Sequence, residues 1–375
     1  VTVALADLDE PLRLLDADGA LVHGAETERW HALADALTLE DRIAMQRAMV
    51  VTRAVDMEAR NLQRQGRLGL WVPSVGQEGG QVGMAFAMRD QDTVFPSYRE
   101  HVIAHVRGVE WMQIVDVFRG ARHGGWDPAA TRGCRIYSLV IATQSLHATG
   151  YAMGVTMDGA VGTGDVERDE AVLVCYGDGA TSQGDASESL VFSSTFDAPL
   201  VTYVQDNKWA ISVPSRVQSR TPLHLRARGF GHRAHWIDGN DPLIAFAVGR
   251  AELDAARAGS GPGYVVADTY RMGAHTTSDD PTRYRSSEEE AAWQRRDPIA
   301  RLAAHLRAQG VEDALLRNID EEAADTAADV RRRTLEASSP PSDVIFDHVY
   351  TDPHEPLAQQ KLALAEFEAT FGGDA

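Results

Sequence analysis

From Leu39 through Asn61 apolar residues recur at helical spacing, and Thr38-Leu39-Glu40-Asp41 just ahead matches the [ST]-x-x-[DE] start of a helix. Gln65-Gly66-Arg67 breaks that helix, and Gly76-Gln77-Glu78-Gly79-Gly80 opens another that runs to about Met88. Val94-Phe95-Pro96-Ser97 reads as a strand end or turn, and Tyr98-Arg99-Glu100-His101 begins the next helix. The stretch from Gly120 to Arg135 is glycine-rich with little periodicity and is expected to be a loop. Strand and helix patterns then alternate from Ser138 to Val266, with Asp238-Gly239-Asn240-Asp241 as a turn. From Ser286 onward Ala, Arg and Glu fall at helical spacing until Ser338-Ser339-Pro340-Pro341 sets off a tail. At the other end, Val1 to His31 reads as an extended arm with a turn at Asp16-Ala17-Asp18-Gly19. The alternation predicts an α/β fold, a doubly wound parallel sheet flanked by helices. The expected division is an arm over 1–37, one α/β domain over 38–335 and a tail over 336–375.

The stretch Ala171–Pro214 is the most informative. A short apolar run, Ala171 to Cys175, breaks at Gly177-Asp178-Gly179; a small-residue turn and a helical stretch follow. A second apolar run, Leu200 to Val204, empties into Asp206-Asn207, with Asn207 lying 29 residues after Asp178. This is a strand–helix–strand unit with an oxygen ligand at the carboxyl end of each strand, the edge at which parallel sheets bind ligands. Asp178 offers a hard anionic oxygen and Asn207 a neutral one, while the flanking glycines let backbone approach a phosphate. A dinucleotide fingerprint fits worse: G-x-G-x-x-G needs glycine at 182, where Ser182 stands.

Composition narrows the partners. The 375 residues carry a formal net charge of −19, which argues against nucleic acid and anionic membrane. No apolar run approaches the ~18 residues of a membrane span, and the amino terminus lacks the order of a signal peptide. The two cysteines, Cys134 and Cys175, are too few for a disulfide framework, and Cys175 sits in an apolar strand as a small buried hydrophobe. The expected compartment is the cytoplasm.

Gly-Asp-Gly followed by a distant Asn resembles the thiamine diphosphate signature. Further motifs sharpen the likeness: Gly66-Arg67, Gly76-Gln77-Glu78, Ser97-Tyr98-Arg99-Glu100, Ala142-Thr143-Gln144, and His275-Thr276-Thr277-Ser278-Asp279-Asp280-Pro281-Thr282-Arg283-Tyr284-Arg285. In this order, from about Leu39 to Ile299, they resemble the alpha subunit of the thiamine-dependent 2-oxo acid dehydrogenases. The resemblance implies the thiamine diphosphate-binding fold, in its diphosphate- and Mg²⁺-holding half. It implies that Asp178, Asn207 and the backbone carbonyl of Trp209 hold Mg²⁺. Tyr98, Arg99 and Arg271 would grip the diphosphate, a guanidinium fork suiting two phosphate oxygens at once. Ile141, Gly177, Gly179 and Ala180 would line the cofactor site.

The resemblance also places His275 beside the cofactor as a catalytic residue, for tasks that suit a side chain titrating near neutrality. The loop Gly273–Arg285 has five polar residues in a row from Thr276 and then Pro281, so it is expected to be neither strand nor helix. It is expected to be mobile until cofactor binds. Ser138, Thr143 and Gln144 align with a monovalent-cation (K⁺) site of some relatives, with Val140 where Pro is common. Gln205 stands where several relatives carry a phosphate-binding Arg, and His147 lines the same region.

The implied activity is oxidative decarboxylation of a 2-oxo acid, with transfer of the acyl group to lipoyl groups of an acyltransferase. A branched-chain acid of the 3-methyl-2-oxobutanoate type is the first reading and pyruvate the alternative; a non-catalytic paralogue would be expected to lose ligands that are all present here. The glutamate that activates the aminopyrimidine belongs to a beta subunit in two-subunit members, implying a heterotetramer of two alpha and two beta chains. The arm and tail are expected to bury Leu14, Leu15, Ile345, Phe346 and Val349 on another surface.

Overall fold

The computed structural model describes residues 10–122, 125–347 and 349–371. The amino-terminal half holds helices α1 (Glu28–Ala34), α2 (Leu39–Arg64), α3 (Glu78–Ala87), α4 (His101–Val106), α5 (Trp111–Arg119) and α6 (Thr143–Met157), with strand β1 (Thr93–Phe95) between α3 and α4. The centre runs β2 (Val172–Gly177), α7 (Gly184–Thr195), β3 (Leu200–Asp206), the short hairpin β4 (Trp209–Ala210) and β5 (Val213–Pro214), α8 (Ser215–Gln218) and α9 (Leu223–Gly229). Then come β6 (Arg233–Asp238), α10 (Pro242–Arg257) and β7 (Gly263–Asp268), followed by α11 (Ser287–Gln294), α12 (Pro298–Ala308), α13 (Asp313–Glu336) and α14 (Glu355–Ala369).

Five strands form one sheet in the order β1-β2-β3-β7-β6, every neighbouring pair parallel. Side chains alternate between its faces. Leu173, Cys175, Val201, Tyr203 and Val265 join the large core with α2, α3 and α10, whereas Val172, Val174, Tyr176, Val204 and Val266 face α6, α7 and α9. Both faces are therefore apolar, which is why these strands read as continuous hydrophobic runs. The sheet is doubly wound, as the alternation predicted.

Local chemistry sets the helix ends. Thr38 Oγ1 accepts from Asp41 N at 3.1 Å and the Asp41 carboxylate accepts from Thr38 N at 2.9 Å, closing the capping box at the head of α2. α3 lies against α10 across its glycines: a Cβ on Gly83 would sit 2.5 Å from the Ala245 Cβ and 2.7 Å from the Pro242 carbonyl oxygen. α4 begins at His101, so Tyr98 and Arg99 lie in the turn before the helix and not in it. Of the Gly120–Arg135 segment, residues 123 and 124 lie outside the described residues; the rest is irregular apart from one 3-10 turn, Pro128–Ala130, and a parallel bridge from Cys134 to Val94 of β1.

The arm departs from expectation. Residues 1–9 fall outside the described residues, but Leu12 already runs beside β6, its N–H donating to Trp236 O at 3.0 Å and its carbonyl accepting from Asp238 N at 2.8 Å. Asp241 Oδ2 accepts the N–H groups of Leu14 at 2.6 Å and Leu15 at 2.7 Å, and both side chains are fully buried in the main core. These two leucines need no partner surface, because the sheet edge and α10 supply it; residues 28–34 of the arm are helical. The turn at Asp16–Gly19 is present, with Asp16 Oδ1 accepting from Asp18 N and Ala20 N at 2.9 Å. The tail is different: it forms a 3-10 turn, Ser342–Phe346, and α14, leaving Ile345, Val349, Leu362 and Phe367 exposed. Among the described residues no helix is long and apolar enough to cross a membrane.

Burial of the arm within one chain has a direct consequence. Leu14→Ala should lower the unfolding free energy of the isolated chain by about 2–5 kcal/mol, read from urea denaturation. An unchanged midpoint would mean that the arm does not dock on its own chain.

Candidate active site

The carboxyl ends of β2 and β3 open into a cavity of about 230 Å³. Parallel pairing sets Gly177 opposite Gln205, so the chain leaves both strands side by side at Asp178 and Asn207. Both residues line the cavity, together with Gly177, Gly179, Ala180, Trp209, Tyr98, Arg99, Ile141, Ser138, Gln144 and His275. Arg271 and Thr143 do not line it; Arg271 stands directly behind His275 and Trp209, and Thr143 opens α6, its N–H donating to Val140 O at 3.3 Å. Ser138 Oγ donates to Val140 O at 3.1 Å and Gln144 Nε2 to Cys175 O at 2.9 Å, leaving Gln144 Oε1 buried without a partner. His147 is exposed and outside the lining.

Asp178 begins a 3-10 turn directly after β2. Gly179 is required there, since a Cβ would approach the Ala210 Cβ of the hairpin to 2.9 Å. Asp178 Oδ2 accepts from Gln218 Nε2 at 2.8 Å, and no arginine or lysine pairs with it among the described residues. Burial, with the Asp206 carboxylate adding to it, pushes the Asp178 pKa up to about 6. Lys208, in the left-handed region at φ 74°, turns away to pair with Asp206 at 3.0 Å and with Asp268. Asn207 Nδ2 donates to Gln77 Oε1 at 3.0 Å while its Oδ1 accepts from Trp209 N at 3.3 Å.

The opposite wall is cationic. Arg99 is buried, donating through Nη1 to Pro73 O at 2.6 Å and through Nη2 to His275 O at 3.0 Å. Arg271 is buried too, donating to Trp209 O at 2.7 Å, Ile211 O at 2.8 Å and the Tyr284 hydroxyl at 2.8 Å. Burial and the neighbouring Arg99 pull the Arg271 pKa down to about 10. Both guanidinium groups address His275 Nδ1, from 3.2 Å and 3.5 Å. A guanidinium only donates, so Nδ1 accepts and the neutral ring carries its proton on Nε2. Burial, then Arg99 and Arg271, hold the His275 pKa down to about 3. The expected titration near neutrality is therefore corrected: in this pocket the imidazole is neutral.

The loop Gly273–Arg285 is irregular except for one 3-10 turn, Pro281–Arg283. Its folding depends on Asp279, whose Oδ2 accepts from His275 N at 2.7 Å and from the Tyr284 hydroxyl. Arg285 ties its far end to the carbonyls of Arg271 and Met272. Gln205 is bound inward: its amide donates to Glu100 Oε1 at 2.5 Å and its carbonyl accepts from Gln81 Nε2 at 2.9 Å. Gln77, Gln218, Tyr284 and Asp279 hold the predicted residues in place. Of these only Gln218 lies outside every sequence motif, and it meets Asp178 purely through the fold of α8.

The donor set fits a divalent cation next to a diphosphate. A buried carboxylate short of positive charge faces two buried guanidinium groups short of negative charge, and the Trp209 carbonyl has a second lone pair beyond the one Arg271 uses.

Residues 46–341 match the family described as Dehydrogenase E1 component. The 3-methyl-2-oxobutanoate dehydrogenase subunit alpha of Mycobacterium tuberculosis is 39% identical over 364 residues, 96% of this chain and 95% of that protein. The pyruvate dehydrogenase E1 component subunit alpha of Acholeplasma laidlawii is 34% identical, covering 86% of this chain and 92% of its own. Its Staphylococcus aureus counterpart is 31% identical over 96% and 94%. The chain belongs to the dehydrogenase E1 component family.

The His275 environment can be read by NMR of the ring nitrogens in the isolated chain. The imidazole should stay neutral through pH 5, with Nδ1 unprotonated. Arg99→Gln removes a repelling cation and should move the titration upward; a wild-type ring protonating near pH 6.5, its ordinary value, would contradict the arrangement.

Proposed function

We propose that this member of the dehydrogenase E1 component family is the alpha subunit of a thiamine diphosphate-dependent branched-chain 2-oxo acid dehydrogenase, working in the cytoplasm. The observation that carries the reading is the unmet charge around the cavity: Asp178 on one wall and Arg99 on the other, with Arg271 directly behind His275 and Trp209. Asp178, Asn207 and the Trp209 carbonyl would hold Mg²⁺; Arg99, Tyr98 and Arg271 would hold the diphosphate. The buried, unpartnered Gln144 Oε1, with Ser138 and Thr143, supports a K⁺ site. When bound, thiamine diphosphate supplies a nucleophilic carbon for the keto group and an electron sink for loss of CO₂.

The protein's own contribution is to orient, exclude water and place a proton. With Nδ1 committed to the two guanidinium groups, His275 offers its Nε2–H to the cavity, where it would donate to the carboxylate or oxo oxygen of substrate. Ile141 and Ile211 give the cavity an apolar side, which suits a branched alkyl chain. The 39% identity to a protein named for 3-methyl-2-oxobutanoate favours that substrate over pyruvate, the second reading, which rests on relatives at 34% and 31%.

A beta subunit would complete the site. Glu100 is the only glutamate lining the cavity among the described residues, and both its oxygens are taken, by Ser97 N and Gln205. With both oxygens already engaged inside this chain, it is a poor candidate to activate an aminopyrimidine, which favours a partner's glutamate. Exposed Leu139, Val140 and Ile141 at the mouth, and the exposed apolar residues of α14, are surfaces a partner would cover, in a heterotetramer that passes acyl groups to a lipoyl acyltransferase.

Asp178→Ala and Asn207→Ala should each abolish thiamine diphosphate–Mg²⁺ binding without unfolding the chain, measured by calorimetric titration; unchanged affinity in Asp178→Ala would sink the reading. Metal binding needs the ionised carboxylate, so with a pKa of about 6 the affinity should be nearly flat above neutrality, drop by about half at pH 6, and approach a fall of about ten-fold per pH unit only below that. The isolated chain should decarboxylate nothing. Adding the beta chain should restore decarboxylation to an artificial acceptor, with kcat/KM higher for 3-methyl-2-oxobutanoate than for pyruvate. Robust activity of the chain alone would overturn the two-subunit site, and the reverse preference would establish the pyruvate reading.

A further inference from the structure

Behind the cavity lies a carboxylate that touches none of its walls. Asp56, on α2, is completely buried. Its Oδ1 accepts the Trp71 indole N–H at 2.8 Å, and its Oδ2 accepts both the Ser74 backbone N–H and the Ser74 hydroxyl at 2.7 Å. Burial pushes its pKa up to about 6 against the pull of these donors. Removing such a group from water is costly unless its lone pairs are satisfied, and here three donors converge on it.

All three belong to the irregular segment 71–74 between α2 and α3, and the outer side of that segment holds the active-site elements. Trp71 O accepts from Thr277 N at 3.1 Å, and Trp71 N donates to Thr277 Oγ1 at 3.2 Å, within the His275 loop. Val72 O lies 2.8 Å from His101 Nε2. Pro73 O accepts from Arg99 Nη1 at 2.6 Å. The Pro73–Ser74 peptide unit thus stands between two charges, its N–H on the Asp56 carboxylate and its carbonyl on the Arg99 guanidinium. Hydrogen bonds at both ends of one peptide polarise it and strengthen each other.

We propose that Asp56 is a positioning residue for the reaction, setting the Arg99 guanidinium through the Pro73–Ser74 peptide and the His275 loop through Trp71. The inference rests on the reading of Arg99 and His275 as cofactor- and substrate-side groups. Asp56 itself contacts neither ligand. Only a carboxylate serves: an isosteric Asn has one acceptor oxygen, and either orientation of its amide turns an NH₂ toward an N–H donor.

The test compares Asp56→Asn with Leu306→Ala, which truncates a fully buried side chain of α12. Trypsin cleavage at Arg283 and Arg285 is followed in the isolated chain, and thiamine diphosphate–Mg²⁺ affinity is measured by calorimetry in the reconstituted two-subunit component. Asp56→Asn should speed loop cleavage and raise the cofactor Kd by about ten-fold each, the effect of one strong hydrogen bond. Leu306→Ala, at an equal or larger fall in urea midpoint, should leave both within about two-fold. Wild-type behaviour of Asp56→Asn, or the same changes in Leu306→Ala, would overturn the proposal. If the wild-type component binds no thiamine diphosphate, the functional reading fails, while the cleavage comparison still decides whether Asp56 positions the loop. Should Asp56→Asn not fold, Ser74→Ala carries the comparison: it keeps the N–H bond and loses the hydroxyl bond, so cleavage should quicken by about three-fold, and no change would count against the proposal.

Discussion

The register between β2 and β3 is the constraint on which the cavity depends. The two strands run in step from Val172 opposite Leu200 to Gly177 opposite Gln205, where β2 ends, and β3 runs one residue further to Asp206. Because side chains alternate along a strand, a slip of one residue would turn Tyr203 out of one core and Val204 out of the other. Burial on both faces therefore locks the register, and the locked register delivers Asp178 and Asn207 to the same edge. The hairpin after β3 then bends back over Gly179, bringing the Trp209 carbonyl to that edge as well.

Charge does the rest. Asp178 and the Arg99–Arg271 pair are buried and, among the described residues, none of them is neutralised by a contact of opposite sign; backbone carbonyls, Gln218 and the Tyr284 hydroxyl take their hydrogen bonds instead, and Arg271 Nε is left without a partner. Such a pocket is poised for a ligand that is itself a cation–anion pair. The same two guanidinium groups hold His275 neutral and choose its tautomer, so anion recognition and proton placement share one set of side chains. Behind them Asp56 and the Pro73–Ser74 peptide give Arg99 a fixed anchor that does not depend on any ligand.

Much of this was legible in the sequence where local chemistry decides. Thr38 and Asp41 announce α2, the apolar runs announce β2 and β3, and Gly-Asp-Gly with a distant Asn places two oxygens at a strand edge. What escaped were features decided by distant packing. Leu14 and Leu15 look like a loose arm until β6 and α10 give them a core, with Asp241 accepting from both backbone N–H groups. Gln218 meets Asp178 across 40 residues with no spacing rule to signal it. The neutrality of His275 is a property of two arginines, one of them 176 residues away, and no loop motif carries it. The helix α14 was hidden for a different reason: its apolar residues make no core here, so no buried stripe marks it.

The central claim, that this edge of the sheet holds a divalent cation against a diphosphate, is tested most directly by locating the metal. The chain reconstituted with its beta subunit, thiamine diphosphate and Mn²⁺ in place of Mg²⁺ would be crystallised and the manganese found by anomalous scattering. The account predicts one manganese per chain bonded to Asp178, Asn207 and the Trp209 carbonyl, with Arg99 on the diphosphate. Manganese bound elsewhere, or cofactor bound with Asp178 still facing only Gln218, would contradict it.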